Sequence, residues 1–144
     1  MNEKKHLLVA AALIFENGKI FATKRGESKF AYVAHKFEFP GGKIESGETG
    51  EECIIREIQE ELGVTLRVLR KLTDVVYDYP DKTVHLHFYI TEIVHGELIR
   101  KEHHAFAWIT TAELSNYQFC PADEKMLRKF ATAPNFDSLE QEVT

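Results

Sequence analysis

The segment TGEECIIREIQEELG, from Thr49 to Gly63, carries the start, the body and the stop of one helix. Thr49 followed three residues later by Glu52 forms a capping box, in which each side chain satisfies the other's backbone N–H. Gly63 stands where a helix ends in the left-handed conformation that glycine adopts at little cost. The spacing predicts a helix from Thr49 to Leu62. On a wheel of about 100° per residue with Glu57 at zero, Glu61 falls at about 40° and Glu60 at about 300°. Ile54, Ile58, Leu62 and Ile55 occupy roughly 60° to 160° on the same wheel. Three carboxylates therefore form a stripe directly beside the apolar face. Glu57 with Glu60, and Glu57 with Glu61, are like-charge pairs that weaken an isolated helix by a few tenths of a kcal/mol each. A solvated acidic face is the plain reading of such a stripe. Two features oppose it: the charges are nearly all of one sign, and they adjoin the buried edge. A hard divalent cation removes both objections, because Mg²⁺ binds through oxygen ligands and pairs carboxylates with substrate phosphates.

The rest of the chain limits what surrounds this helix. Its 144 residues suffice for one ordinary domain, and 44% hydrophobic residues suffice for a core. A formal net charge of −5 with no long basic run argues against a nucleic-acid polymer as partner. It leaves open a small anion held at a metal. Cys53 and Cys120 lie far apart with no zinc-ligand spacing, and read as buried thiols of a reducing cytosol. The start MNEKKH lacks a signal-peptide layout, and no run approaches the ~20 apolar residues of a membrane span. The expectation is a soluble cytoplasmic protein.

His6 to Phe15 and the segment IFATKR, joined at Asn17-Gly18, read as a hairpin. Gly26 to His35 reads as a loop, and KFEF as a short strand stopped by a sharp turn at Pro40, Gly41 and Gly42. VTLRVLRKLTDVVYDY and KTVHLHFYITEIV read as strands around PDK, with a turn at His95-Gly96 and a further strand in HAFAWIT. Thr110 or Thr111 caps a short helical turn near Ala112 to Leu114. Pro121 opens a last helix, with Met126, Leu127 and Phe130 at helical spacing. The result is one α/β layered domain with a mixed sheet over residues 1–134, followed by a polar tail over 135–144.

The acidic spacing is far more specific than the charge count. Gly42, five residues, Glu48, seven residues, Arg56-Glu57-Ile58, one residue, Glu60-Glu61, one residue, Gly63-Val64: this resembles the complete Nudix box. The segments KFEFPGGKIESGET, YPDKTVHLHFYI and PADEKML are similar to those of MutT-type members, so the likeness runs from Leu7 to Phe130. The resemblance implies an α/β/α sandwich with a mixed sheet. It also implies Mg²⁺-dependent hydrolysis of a nucleoside triphosphate to monophosphate and pyrophosphate, with Mn²⁺ as a possible substitute. Carried over by position, Glu57, Glu60 and Glu61 match metal ligands, and the Gly41 carbonyl matches a further one. Arg56 matches the arginine that orients a box glutamate, and Glu48 a supporting acid. Glu102, six residues before Trp108, matches a loop acid that serves as metal ligand or general base, or else is an exposed loop residue in RKEHH. The chemistry agrees, since metal ions neutralise the charge that develops when water attacks a polyphosphate.

Arg25, Phe39, Tyr79 and Asp123 match the nucleotide pocket of MutT-type enzymes. Each also has an ordinary reading: surface charge, core aromatic, rim aromatic, and first-turn helix acid. Members selective for 8-oxo-dGTP commonly carry Asn at the position of Asp123. Asn donates and accepts, whereas ionised Asp only accepts. HLHFYI and PADE are also similar to the CTP pyrophosphohydrolase branch, so an oxidised purine and a cytidine nucleotide both remain. His85 and His87 share one strand face and offer a metal pair; lacking a third ligand, they read as strand or pocket-wall residues. His103 and His104 read as loop surface. The expectation is an enzyme for nucleotide-pool sanitation, monomeric or homodimeric. The rivals are a CTP/dCTP hydrolase and a non-catalytic nucleotide sensor.

Overall fold

The computed structural model describes residues 4–98 and 105–130. Its longest strands follow the apolar runs: β1 (Lys5–Glu16), β5 (Thr65–Asp78) and β6 (Lys82–His95). β2 (Lys19–Lys24) returns from β1 through Asn17 and Gly18, both at positive φ (51° and 75°), the backbone that a tight two-residue hairpin turn demands. β3 (Phe37–Glu38), β4 (Gly41–Lys43) and β7 (Phe106–Thr110) are short. The sheet is mixed. Its order is β3-β2-β1-β6-β5, with β7 on β2 and β4 on β1. β1 runs parallel to β6 from Lys5↔Lys82 to Ile14↔Thr91, while its pairings with β2 and β4 are antiparallel.

Strand alternation on β1 sorts the core into two layers. Ala10, Ala12 and Ile14 face α1 (Gly50–Leu62) and meet its buried Cys53, Ile54 and Ile58. Ala11, Leu13 and Phe15 face the opposite layer, with Met126 and Leu127 of α2 (Pro121–Phe130). The expected α/β/α arrangement follows. α1 begins and ends as its sequence predicts. Thr49 Oγ1 accepts from Glu52 N at 3.1 Å, Glu52 Oε1 accepts from Thr49 N at 2.9 Å, and Gly63 is left-handed at φ 72°. Ile55 departs from the wheel reading. At the far edge of the apolar arc, it stays 38% exposed. A 3-10 helix (Thr111–Asn116) occupies the expected short turn, with Thr110 Oγ1 donating to Glu113.

The segment Pro40-Gly41-Gly42 is more than the sharp turn expected of it. Ala12 N donates to the Pro40 carbonyl at 2.8 Å, and β4 then lies along β1 with Ala11↔Gly41 and Ala10↔Gly42. A side chain would prevent this approach, because a Cβ on Gly41 would stand 1.9 Å from the Ala10 carbonyl oxygen. The glycines make an extra strand here because they let two backbones touch. The boundary at residue 134 and the tail 135–144 lie outside the described residues, as do Glu102, His103 and His104. Among the described residues no helix is long and apolar enough to cross a membrane.

Ile58 is fully buried between α1 and the sheet. Ile58→Ala should lower unfolding free energy by about 2–5 kcal/mol. Urea denaturation followed by far-UV circular dichroism measures this, and a loss under ~1 kcal/mol would contradict the assigned packing.

Candidate functional site

The acidic stripe of α1 is organised by one cation. Arg56 Nε and Nη2 donate to the two oxygens of Glu48 at 2.7 and 3.0 Å, a bidentate pair. Arg56 Nη1 donates to Glu57 at 3.0 Å and lies 3.5 Å from Glu60, while Nη2 reaches the Lys43 carbonyl at 3.4 Å. Glu48 also accepts from Glu45 N at 3.0 Å. These bonds, led by Arg56, hold its carboxyl down to about 2. The guanidinium thus ties the loop before α1, the edge of β4 and the helix stripe into one unit.

Glu57 lies against β4 itself. A Cβ on Gly42 would come within 2.4 Å of the Glu57 carboxyl carbon, so only glycine leaves room for that carboxylate. Beneath it the Cys53 thiol is fully buried and donates to the Gly42 and Lys43 carbonyls at 3.4 Å. Burial pushes this thiol up to about 11, so it packs as a small apolar side chain, as the sequence suggests. Glu61 feels the crowding. Desolvation, a hydrogen bond shared with Glu57, and the charges of Glu57 and Glu38 raise its carboxyl to about 7. Carboxylates pressed together on a shelf of backbone carbonyls present oxygen donors only, a set that suits a hard divalent cation. Among the described residues no three His, Cys, Asp or Glu side chains are already gathered around one point; here Arg56 draws Glu57 and Glu60 toward itself.

The four residues matched to a base pocket come together on the α2 side. Arg25 Nη1 donates to Glu38 at 3.0 Å. Phe39 is buried, its ring stacked on Phe119 at 5.1 Å and edge-on to Phe88, and its backbone N–H points at Asp123 Oδ1 at 3.4 Å. Tyr79 is also buried. Its hydroxyl accepts from Ala122 N at 3.1 Å, and Tyr32 stacks on its ring at 4.8 Å. Tyr32 in turn donates to Asp81, fastening the 26–36 loop over Tyr79.

The sequence reading compared an ionised Asp123 with Asn, and the structure adds the burial of this side chain. The side chain is 5% exposed, and desolvation followed by the charge of Glu38 raises its carboxyl well above the ordinary range. A neutral carboxyl both donates and accepts, as an amide does. Glu38, the second cause after burial, was missed, as was Tyr32. Glu38 alternates with Phe37 and Phe39 along one strand, and a lone acid inside an apolar strand was the available signal. Tyr32 sits in an irregular loop with no periodicity to mark it.

Residues 4–130 match the NUDIX domain. The chain is 39% identical over 126 residues to an 8-oxo-dGTP diphosphatase of Escherichia coli (strain K12), a match covering 87% of this chain and 96% of that protein. It is 32% identical over 126 residues to a CTP pyrophosphohydrolase of the same organism, covering 88% and 92%. Among solved structures, the E. coli ORF135 protein shares the fold at a TM-score of 0.74 and 30% identity, covering 96% of this chain and 94% of that one. A MutT NUDIX hydrolase from Burkholderia pseudomallei gives a TM-score of 0.75 at 24% identity over 87% and 98% of the two chains, a likeness of fold alone.

The raised carboxyl of Asp123 has a thermodynamic consequence. Its contribution to stability is complete below the unfolded-state value of about 3.9 and is lost as pH rises toward the folded-state value. Asp123→Asn removes this dependence. The Tm of the variant relative to the unaltered protein should rise as pH increases above 5 in scanning calorimetry. Parallel Tm curves across that range would show that Asp123 is ionised in the fold.

Proposed function

The chain belongs to the NUDIX family, and from that premise we propose that it is an Mg²⁺-dependent pyrophosphohydrolase of (deoxy)nucleoside triphosphates that removes 8-oxo-dGTP from the nucleotide pool. The observation that carries this reading is the Arg56 cluster: Glu48 and Arg56 fix Glu57 against Gly42, with Glu61 crowded beside it. An acidic helix with a structural role alone has no use for so costly a gathering of like charge.

In this reading Glu57, Glu60 and Glu61 hold the metal, together with the Gly41 carbonyl and Glu102. Mn²⁺ serves as a substitute. A bound divalent cation neutralises charge that develops on the polyphosphate. Arg56 keeps Glu57 aimed while Glu48 keeps Arg56 in place. One stripe carboxylate or Glu102 takes the proton of the attacking water. Arg25, Phe39, Tyr79 and Asp123 form the base pocket. The Phe39 N–H engages Asp123 Oδ1, which leaves the other carboxyl oxygen of Asp123 to meet a base edge. The substrate is a small nucleotide, met in the cytoplasm, and the enzyme works as a monomer or homodimer.

CTP or dCTP is the second substrate reading. It is favoured by the likeness to a CTP pyrophosphohydrolase and by the cytosine edge, whose amine and ring nitrogen also suit a group that both accepts and donates. A nucleotide sensor without turnover is the rival of another class, and the complete acidic set opposes it.

Incubation with Mg²⁺ and a panel of canonical and oxidised triphosphates, with products identified by chromatography, should yield a monophosphate and pyrophosphate. Tight binding without turnover would sink the enzyme reading, and orthophosphate would sink the assigned bond. Glu57→Gln and Glu61→Gln should each slow turnover by at least ~100-fold, the scale of losing a metal or proton-transfer role. Near-normal rates in both would remove them from the metal site.

A further inference from the structure

The two strand histidines, His85 and His87, have separate partners. His87 Nδ1 lies 2.5 Å from Asp74 on β5. His85 instead meets His6 of β1, with Nε2 and Nδ1 3.1 Å apart and the ring centroids at 5.3 Å. Both histidines stand on paired backbone: β1 and β6 run parallel here, with His6 beside Thr83 and Leu8 beside His85. They face the α1 side of the sheet beyond the reach of the helix, where Leu8 and Val76 flank His85 and remain 51% and 47% exposed.

Two metal–nitrogen bonds of about 2.0–2.1 Å place their nitrogens about 2.9–3.4 Å apart, for angles from a right angle to tetrahedral. The observed separation falls inside that bite. Imidazole nitrogen suits Zn²⁺, Ni²⁺ or Cu²⁺ and not Mg²⁺, so these ions differ in kind from the one proposed for the acidic stripe. A third donor lies in the same row of the sheet. Asp78 pairs with Thr83, which pairs with His6, so the three stand in one row across β5, β6 and β1. Asp78 accepts from Thr83 Oγ1 at 2.9 Å and from Lys4 Nζ at 2.7 Å. A metal ion at this point takes the place of the Lys4 ammonium, one cation for another. Among the described residues no three such groups are already gathered around one point, so the Asp78 carboxylate must turn from Lys4 to join the two imidazoles.

We propose that His6, His85 and Asp78 form a transition-metal site of Zn²⁺ type, which clips the start of β1 to β6 and β5 apart from the catalytic carboxylates. Two imidazoles and one carboxylate, with water completing the shell, are an ordinary zinc donor set. Because the ion binds the folded arrangement, it stabilises the fold without entering the reaction.

The test uses untagged full-length protein in a millimolar excess of MgCl₂. Isothermal titration with ZnCl₂ and, separately, NiCl₂ should show one ion per chain held by this site. His6→Ala, His85→Ala and Asp78→Asn should each weaken binding by at least about tenfold, the lower end of what even outer-sphere changes cost a metal site. Zn²⁺ should raise the Tm of the unaltered chain and not that of His6→Ala. Mg²⁺-dependent nucleotide turnover should be unchanged in His6→Ala and His85→Ala, which also reports that they fold. Unaltered affinity in the histidine variants would overturn the site, and unaltered affinity in Asp78→Asn would overturn the three-ligand assignment.

Discussion

The guanidinium of Arg56 is the interaction on which the site depends. It stands between a carboxylate it neutralises almost completely, Glu48, and one it steers, Glu57. Remove that cation and the stripe becomes a row of uncompensated like charge against the sheet. The buried face of α1 supplies the opposing force. Ile54, Ile58 and Cys53 fix the helix on β1, so the carboxylates cannot relax by moving away. Hydrophobic burial thus holds the repulsion in place, and Arg56 keeps it tolerable.

Three carboxyl groups show how far environment divides one chemistry. Glu48, in a bidentate ion pair, sits at about 2. Glu61, desolvated first and then crowded by Glu57, sits at about 7. Asp123, enclosed near Glu38, is pushed well above the ordinary range by burial first and charge second. Salt bridging governs the first, while desolvation leads and like charge adds in the other two.

Most of the fold was legible because its signals are local. The capping box of Thr49 and Glu52, the stop at Gly63 and the turn at Asn17-Gly18 are each written in a few adjacent residues. Fixed spacing likewise exposed the acidic set. The missing parts depend on distance across the fold. β4 exists because glycines meet a strand thirty positions earlier. The raised carboxyl of Asp123 depends on burial and on Glu38, 85 positions away, and the cover on Tyr79 on a loop without periodicity. No window along the chain contains both partners of any of these.

The crossing from β3 to β4 sets a length. Phe39 offers its N–H to the α2 side, and Gly42, three residues on, underlies Glu57 on the α1 side. Even fully extended, three residues span at most about 11 Å. In the proposed reading, the chain between base pocket and acidic shelf therefore acts as a ruler for the distance from a nucleobase to its phosphates. An inserted residue between Phe39 and Gly42 would put pocket and shelf out of step while leaving every functional side chain intact.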